Sequence, residues 1–278
     1  MMSATIDGQS IYGTFGAVLS PDSISALLRY PTREAVRQTD FAESHGIQAD
    51  LRTFKAQCRR VQLTFNMLGH GEAGLQARLK AFTDALAAPG WHAFDFGIGV
   101  SFPLRYVSAQ SLALYRPFSE GENGATITVT MEEEEFPVTG GTPVPIGGVP
   151  TGVASIDGVD LSQFGASLDA TYAGAAAVPA DLKEPFNDGR KIYLDELRRK
   201  SAEWILYINL AARSNADFVR NWQALYAAFA RPGLIPLYLR ERGGTSQVFY
   251  RDCTAAVATI GTGYALQLQI KVVCPSGG

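Results

Sequence analysis

The feature that most constrains this chain is an internal repeat. Near the start runs Ala4-Thr-Ile-Asp-Gly-Gln-Ser-Ile-Tyr-Gly-Thr-Phe-Gly-Ala17, and past the middle Ala154-Ser-Ile-Asp-Gly-Val-Asp-Leu-Ser-Gln-Phe-Gly-Ala166. One inserted residue brings the two into register. Each carries an Asp-Gly pair (Asp7-Gly8, Asp157-Gly158) between apolar residues, a strong local hairpin signal. The likeness then runs without gaps. Gly46 pairs with Gly189 and Pro89-Gly90 with Pro232-Gly233, each 143 positions on. At the same offset Leu51 meets Leu194, Leu63 meets Leu206 and Asn66 meets Asn209, while Ala81, Ala85 and Ala87 meet Ala224, Ala228 and Ala230. A recurrence at one spacing and in one order identifies a duplicated folding unit.

Each copy reads alike. A strand (Val61–Met67, Trp204–Leu210) alternates enough to lie half buried. A helix follows, with the stripe Leu75, Leu79, Phe82, Leu86 in one copy and Phe218, Trp222, Leu225, Phe229 in the other, the spacing of a helix resting one face on a sheet. Asn215 is the expected N-cap of the second helix, and Pro-Gly stops both. Further strands are predicted at Trp91–Phe96, Arg105–Tyr115 and Ala125–Glu133, and at Leu234–Leu239, Gln247–Ile260 and Tyr264–Val273. The expected fold is α+β and mainly β: two tandem modules, residues 1–135 and 151–278, each a small barrel or sandwich flanked by one helix. Between them residues 136–150, uncharged and rich in proline and glycine, read as a linker.

Composition excludes several classes. Of 278 residues 46% are apolar and 18% charged, enough apolar content for real cores and too little charge for a disordered chain or coiled coil. A net charge of −3 gives nucleic acid no general electrostatic reason to bind. The opening MMSATIDGQS lacks the basic and apolar regions of a signal peptide, and no apolar run is long enough to cross a bilayer, so no membrane insertion by this chain is expected. Cys58, Cys253 and Cys274 are odd in number, far apart and without metal spacing, and read as reduced thiols of a protein made in cytoplasm.

Candidate sites are few. Gly69-His-Gly-Glu-Ala-Gly74 has the outline of a dinucleotide fingerprint: it follows a strand, opens a helix, and has Asp95 about 20 residues further on. The matching turn, Ala211-Ala-Arg-Ser-Asn-Ala-Asp217, has no glycine, and no βαβαβ series accompanies either, so a tight strand-to-helix turn is the preferred reading. Glu132, Glu133, Glu134 and Glu135 form the one dense charge run. Adjacent carboxylates on a strand point to alternate faces and do not converge on one ion, which leaves a solvated strand end or an acidic lumen wall. Arg59 with Arg60, and Arg198, Arg199 and Lys200, precede the matched strands. They suit either contacts with acidic neighbours in an assembly or charges that guard a sheet edge. His45, His70 and His92 share no ligand spacing, and a Gly-x-Ser-x-Gly elbow is absent. No catalytic residue, metal ligand or cofactor site is predicted.

The pattern Arg60-Val-Gln-Leu-Thr-Phe-Asn-Met, then Leu75-Gln-Ala-Arg-Leu-Lys-Ala-Phe-Thr-Asp-Ala-Leu, Pro-Gly, a strand and Arg105-Tyr106 resembles the ring-forming domain of tailed-phage distal tail proteins. Ile156-Asp-Gly-Val-Asp-Leu-Ser-Gln-Phe-Gly165 is similar to how those proteins begin. The resemblance covers nearly all of both copies, and departs from a simple distal tail protein in carrying the module twice. It implies a tail-tube or baseplate-hub fold, and a structural virion protein of the phage tail, assembled in host cytoplasm. Such a protein rings a channel through which DNA passes transiently and supports the tail-tube protein and other tail-tip or baseplate proteins. Two modules per chain suit a trimeric, pseudo-hexameric ring, with a hexamer as the alternative. The segments Tyr30–Gln57 and Tyr172–Lys200, which leave the sheet before each matched strand, are the expected contact loops. A receptor- or carbohydrate-binding tail module and, more remotely, a nucleotide-dependent enzyme are the competing functions.

Overall fold

A computed structural model describes residues 4–39, 46–115, 121–136, 142–145, 150–173, 201–260 and 264–275. His45, Arg198, Arg199, Lys200 and most of Tyr172–Lys200 lie outside them. The first half runs β1 (Thr5–Ile6), β2 (Gln9–Ser10), α1 (Ile11–Phe15), β3 (Ala17–Leu19), α2 (Pro21–Leu28), a small pair β4 (Gln38–Thr39) and β5 (Gln48–Ala49), β6 (Arg59–His70), α3 (Gly71–Ala87), β7 (His92–Asp95), β8 (Ser101–Tyr115) and β9 (Glu122–Glu133). The second runs β10 (Ala154–Ile156), β11 (Val159–Asp160), a 3-10 turn (Leu161–Phe164), β12 (Ala166–Ala173), β13 (Ala202–Ala212), α4 (Asn215–Phe229), β14 (Ile235–Leu239), a 3-10 turn (Arg240–Arg242), β15 (Gly244–Ile260) and β16 (Tyr264–Cys274).

Two seven-stranded sheets result, ordered β2-β1-β7-β8-β9-β6-β3 and β11-β10-β14-β15-β16-β13-β12, the same order strand for strand. Every pairing in them is antiparallel. Two irregularities correspond as well. β8 bulges against β9 between Tyr106 and Ser108 and again between Ala109 and Ser111; β15 bulges against β16 between Tyr250 and Asp252 and between Cys253 and Ala255. Each bulge adds an unpaired residue and sharpens the local twist, so the two long strands bend at matching points.

Alternation decides which face each strand buries. Along β6, Arg59, Val61, Leu63, Phe65 and Met67 point inward while Arg60, Gln62 and Asn66 point away. α3 covers that face and α4 the matching face of β13: Leu75, Leu79, Phe82 and Leu86 of α3 and Phe218, Trp222, Leu225 and Phe229 of α4 are all buried. At Asp7 and Asp157 the hairpin turns take φ of 49° and 51°, left-handed values that aspartate tolerates better than most residues.

The fold is α+β and mainly β, with three corrections to the sequence reading. Neither sheet closes into a barrel. In each sheet one terminal strand, β2 or β11, has only two residues, too few for a closing ladder among the described residues. The first half also carries more than one helix. α1 is too short to show a period, and α2 follows the start signal Ser20-Pro21, with proline where its missing N–H costs nothing. Finally, the N-cap of α4 is Ser214, whose Oγ accepts from the Asp217 N–H at 3.1 Å; Asn215 is the first helical residue.

One hydrophobic cluster runs through both halves, from Ile6 and Phe65 to Trp222 and Ile270. Phe136, at the start of the expected linker, packs on it, and Asn221 of α4 binds Val144 through both its side-chain oxygen and nitrogen. The described part of 136–150 is therefore tied down against α4.

Candidate functional site

Of the residues singled out above, Arg59, Glu133, Glu134 and Glu135 lie at the seam between the sheets. Beyond α2 the chain leaves the first sheet and lies on the second. The Tyr30 hydroxyl donates to the Trp222 carbonyl at 2.7 Å, and Trp222 Nε1 donates back to the Leu28 carbonyl at 2.9 Å. Tyr250 donates to the Pro31 carbonyl at 2.7 Å, Thr32 to Asp252 at 2.6 Å, and the Arg33 amide to the Arg251 carbonyl at 2.9 Å. Further on, Gly233 N–H reaches the Leu51 carbonyl at 2.8 Å and Ile47 N–H the Pro275 carbonyl at 3.0 Å. Rings fill the space between: Phe136 lies 4.9 Å from Trp222 and 4.6 Å from Tyr226, and Tyr30 5.0 Å from Tyr226. Burial pushes the Tyr30 and Tyr250 hydroxyls well above the usual phenol range, and burial likewise raises Tyr226. Tyr30 and Tyr250 act here as hydrogen-bond donors and not as acids.

Arg59 and Glu133 sit at the edge of this cluster, facing each other across the β6–β9 register. Both are buried, at 8% and 2% exposure. The guanidinium grips the carboxylate through Nε and through Nη2, the latter at 3.0 Å. Its other protons go to the end of α2: Nη2 to the Leu27 carbonyl at 2.6 Å, and Nη1 to the carbonyls of Ala26 and Arg29. α2 has no glycine cap, since Arg29 turns extended. A cation on the last carbonyls both satisfies them and opposes the negative end of the helix. The ring of Phe136, 5.0 Å from the guanidinium carbon, closes the face. Burial inside the chain takes Arg59 and Glu133 off any lumen wall.

Their strand neighbours face the other way. Glu132 lies between Arg105 and Arg60, the latter at 3.7 Å. The hydrogen bond from Arg105 holds its carboxyl below the usual range. Arg105 also lies 4.8 Å over the Trp91 ring. Glu134 and Glu135 are solvent-facing rim groups of a cleft of about 440 Å³ at the seam, lined also by Phe54, Cys58, Phe136 and Tyr226. Burial and then the nearby Glu132 raise the Cys58 thiol, which suits a weak donor to the Glu133 carbonyl, at 3.1 Å, and not a nucleophile. Strand parity thus turns Glu133 inward and Glu132 outward, while Glu134 and Glu135 lie past the end of β9 and are exposed.

The glycine-rich turn has a packing explanation. A Cβ at Gly69 would lie 2.5 Å from the backbone of Leu75, so its absence lets the first turn of α3 close on β6. β6 pairs antiparallel with both β3 and β9, so the parallel βαβ frame of a dinucleotide site is not formed there. His92 is buried and bonded, Nδ1 to Asp7 Oδ2 at 2.7 Å and Nε2 to the Ala88 carbonyl at 3.0 Å. His70 is exposed where β6 gives way to α3. Among the described residues no three His, Cys, Asp or Glu side chains are grouped to hold a metal ion, and no helix is long and apolar enough to cross a membrane.

No family model and no curated protein matches the chain. Among solved structures it is similar to one described as SPP1 Dit (gp 19.1) protein, a paradigm of the hub adsorption apparatus in Gram-positive-infecting phages. The identity is 11% and the TM-score 0.34, over 98% of this chain and 97% of that one.

Sequence reasoning missed Tyr30, Arg33, Phe136 and Trp222 as seam residues. A signal for Arg59 was present: it shares the parity of Val61, Leu63, Phe65 and Met67, so the alternation already turns it inward. Glu133 likewise shares the parity of Met131, Val129, Ile127 and Ala125.

Proposed function

We propose that the protein is a structural ring component of a tailed-phage virion, in the distal tail or baseplate. There it lets DNA pass through a central channel and gives tail-tip proteins a platform. The observation that carries this reading is the repetition of one sheet within one chain: the same seven-strand order and the same two bulges, joined by a buried seam. A unit that binds its own copy side by side makes a heterologous contact, and heterologous contacts close into rings when their rotation permits. With residues 1–135 and 151–278 as equivalent modules, three chains give six positions. The sequence resemblance to distal tail proteins supplies the setting and the tail-tube neighbour. A net charge of −3 suits a channel that does not hold DNA. Among the residues singled out earlier, exposed Glu134, Glu135 and Arg60 remain suited to contacts between chains, with Glu132 behind them. Arg198, Arg199 and Lys200 are their proposed basic counterparts.

The test is the mass of the purified full-length protein by native mass spectrometry, with negative-stain micrographs. A trimer seen as a ring with a central hole supports the reading. Six chains per ring would keep the ring and change the module arrangement. A species that stays monomeric across concentration and salt would end the proposal.

A further inference from the structure

Among the described residues two arginines are buried, Arg59 and Arg33, the latter at 4% exposure. Arg59 shows what a guanidinium takes in such a place: the Glu133 carboxylate, the carbonyls at the end of α2 and the ring of Phe136. Arg33 has the rings without the acid. Its guanidinium carbon lies 5.2 Å from the Phe54 ring and 5.7 Å from the Phe249 ring. Nη2 donates to the Thr53 carbonyl at 2.9 Å. Nη1 is buried and, among the described residues, has no hydrogen-bond partner. Burial lowers the Arg33 pKa, and no neighbouring acid opposes that lowering. An arginine does not shed its proton to escape the cost, and a buried charge without a counter-charge is expensive.

There is room for the missing group. Arg33 is part of the wall of a cavity of about 500 Å³ between the segment after α2 and β15, with Thr32, Gln38, Gln57, Phe249 and Arg251. Backbone bonds hold that wall in place: the Arg33 N–H donates to the Arg251 carbonyl at 2.9 Å, and the Gln57 N–H to the Thr32 carbonyl at 2.8 Å. Gln38 and Gln57 are exposed, and their side-chain amides are donors. Arg251 is already paired with Glu203, and the one acid of the wall, Glu34, is exposed. The charge left without a counterpart is a single positive one, which suits a monoanion better than a doubly charged phosphate.

We propose that this cavity binds one carboxylate group, held by Arg33 with the Gln38 and Gln57 amides beside it. The carboxylate completes for Arg33 what Glu133 provides for Arg59. It is borne by a small organic acid or by an acidic side chain of a neighbouring protein, which present the same oxygens. The assignment does not depend on ring formation.

The experiment titrates the full-length protein with sodium acetate, against sodium chloride at equal ionic strength, by calorimetry and thermal denaturation. Expected is a saturable rise in Tm that acetate gives and chloride does not. Arg33→Gln should weaken acetate binding about tenfold or more, the loss of one charge-assisted hydrogen bond. Ala35→Asp changes an exposed residue of the wall and tethers an acid beside the cavity. It should weaken acetate binding as much with the fold intact, so the test stands even if Arg33→Gln does not fold. N-acetylglutamate amide separates the two sources: binding tighter than acetate assigns the site to a protein side chain, equal or weaker binding to a small acid. A rise that chloride matches, or one kept in full by a folded Arg33→Gln or by Ala35→Asp, overturns the site and leaves Nη1 to a trapped water.

Discussion

Arg59 and Glu133 occupy the register position that Ala202 and Cys274 occupy in the second sheet. An ion pair in one copy is thus an apolar pair in the other, and all four residues are buried. The difference follows from α2. Its C-terminal carbonyls end beside β6, and a guanidinium satisfies them where alanine would leave them bare. Breaking a buried pair by removing one partner strands the other charge, at a cost of about 3–5 kcal/mol. Glu133→Gln and Arg59→Met are each expected to destabilise by that amount in chemical denaturation. The double variant Arg59→Ala/Glu133→Cys should cost clearly less than the sum of Arg59→Ala and Glu133→Cys, since neither charge is then left alone. Additive losses would contradict the pairing.

The seam predicts joint unfolding of the halves. Two hydrogen bonds cross it, from the Tyr30 hydroxyl to the Trp222 carbonyl and from the Trp222 indole to the Leu28 carbonyl. Tyr30→Phe removes a second donor from the Trp222 carbonyl, which keeps its place in the α4 ladder, and should cost about 0.5–1.5 kcal/mol. Denaturation followed by tryptophan fluorescence and by circular dichroism should give coincident transitions in the wild type. Two separated transitions would show the seam to be weak.

A pH dependence follows from His92 and Asp7. Burial alone would lower His92, but the Asp7 hydrogen bond and charge outweigh it, and its pKa stands above the ordinary 6.5. Asp7 is raised by its partial burial and lowered more by His92 and the Ala93 amide, ending below 3.8. Protonated His92 therefore contributes stability that is complete below pH 6.5 and is lost as pH rises through its raised value. The Asp7 contribution is present above pH 3.8 and is lost as pH falls through its lowered value. Tm measured from pH 5 to 8.5 should decline through the neutral range, and His92→Gln should flatten that decline. The matching turn is held by Arg231 against Asp157, so Asp157→Asn should lower Tm equally across the same range.

Gly69 and Gly71 separate packing from conformation. A Cβ at Gly69 meets Leu75 backbone at 2.5 Å, whereas Gly71, at φ +66°, has open space around it. Gly71→Ala should cost about 1–2 kcal/mol, the left-handed penalty for a residue with a Cβ. Gly69→Ala forces α3 away from β6, with loss of the Leu75 contact, and should cost more. Thermal denaturation of the two variants gives the order, and a reversed order would undo the packing explanation.

Much of the fold was legible because its determinants are local. Two-residue alternation set which face of β6 and β16 is buried, a helical stripe placed Leu75 to Leu86 against a sheet, and Asp-Gly pairs marked the turns. Such patterns carry over within a few residues, so they also exposed the repeat. Tertiary structure alone decided the rest. Tyr30 finds Trp222 across 192 positions and Arg59 finds Glu133 across 74, and nothing in the nearby sequence names either partner. Whether a sheet closes depends on the length of its end strands, and whether a linker is free depends on what Phe136 and Val144 meet. Sequence pattern turns a side chain inward; only packing says which side chain waits there.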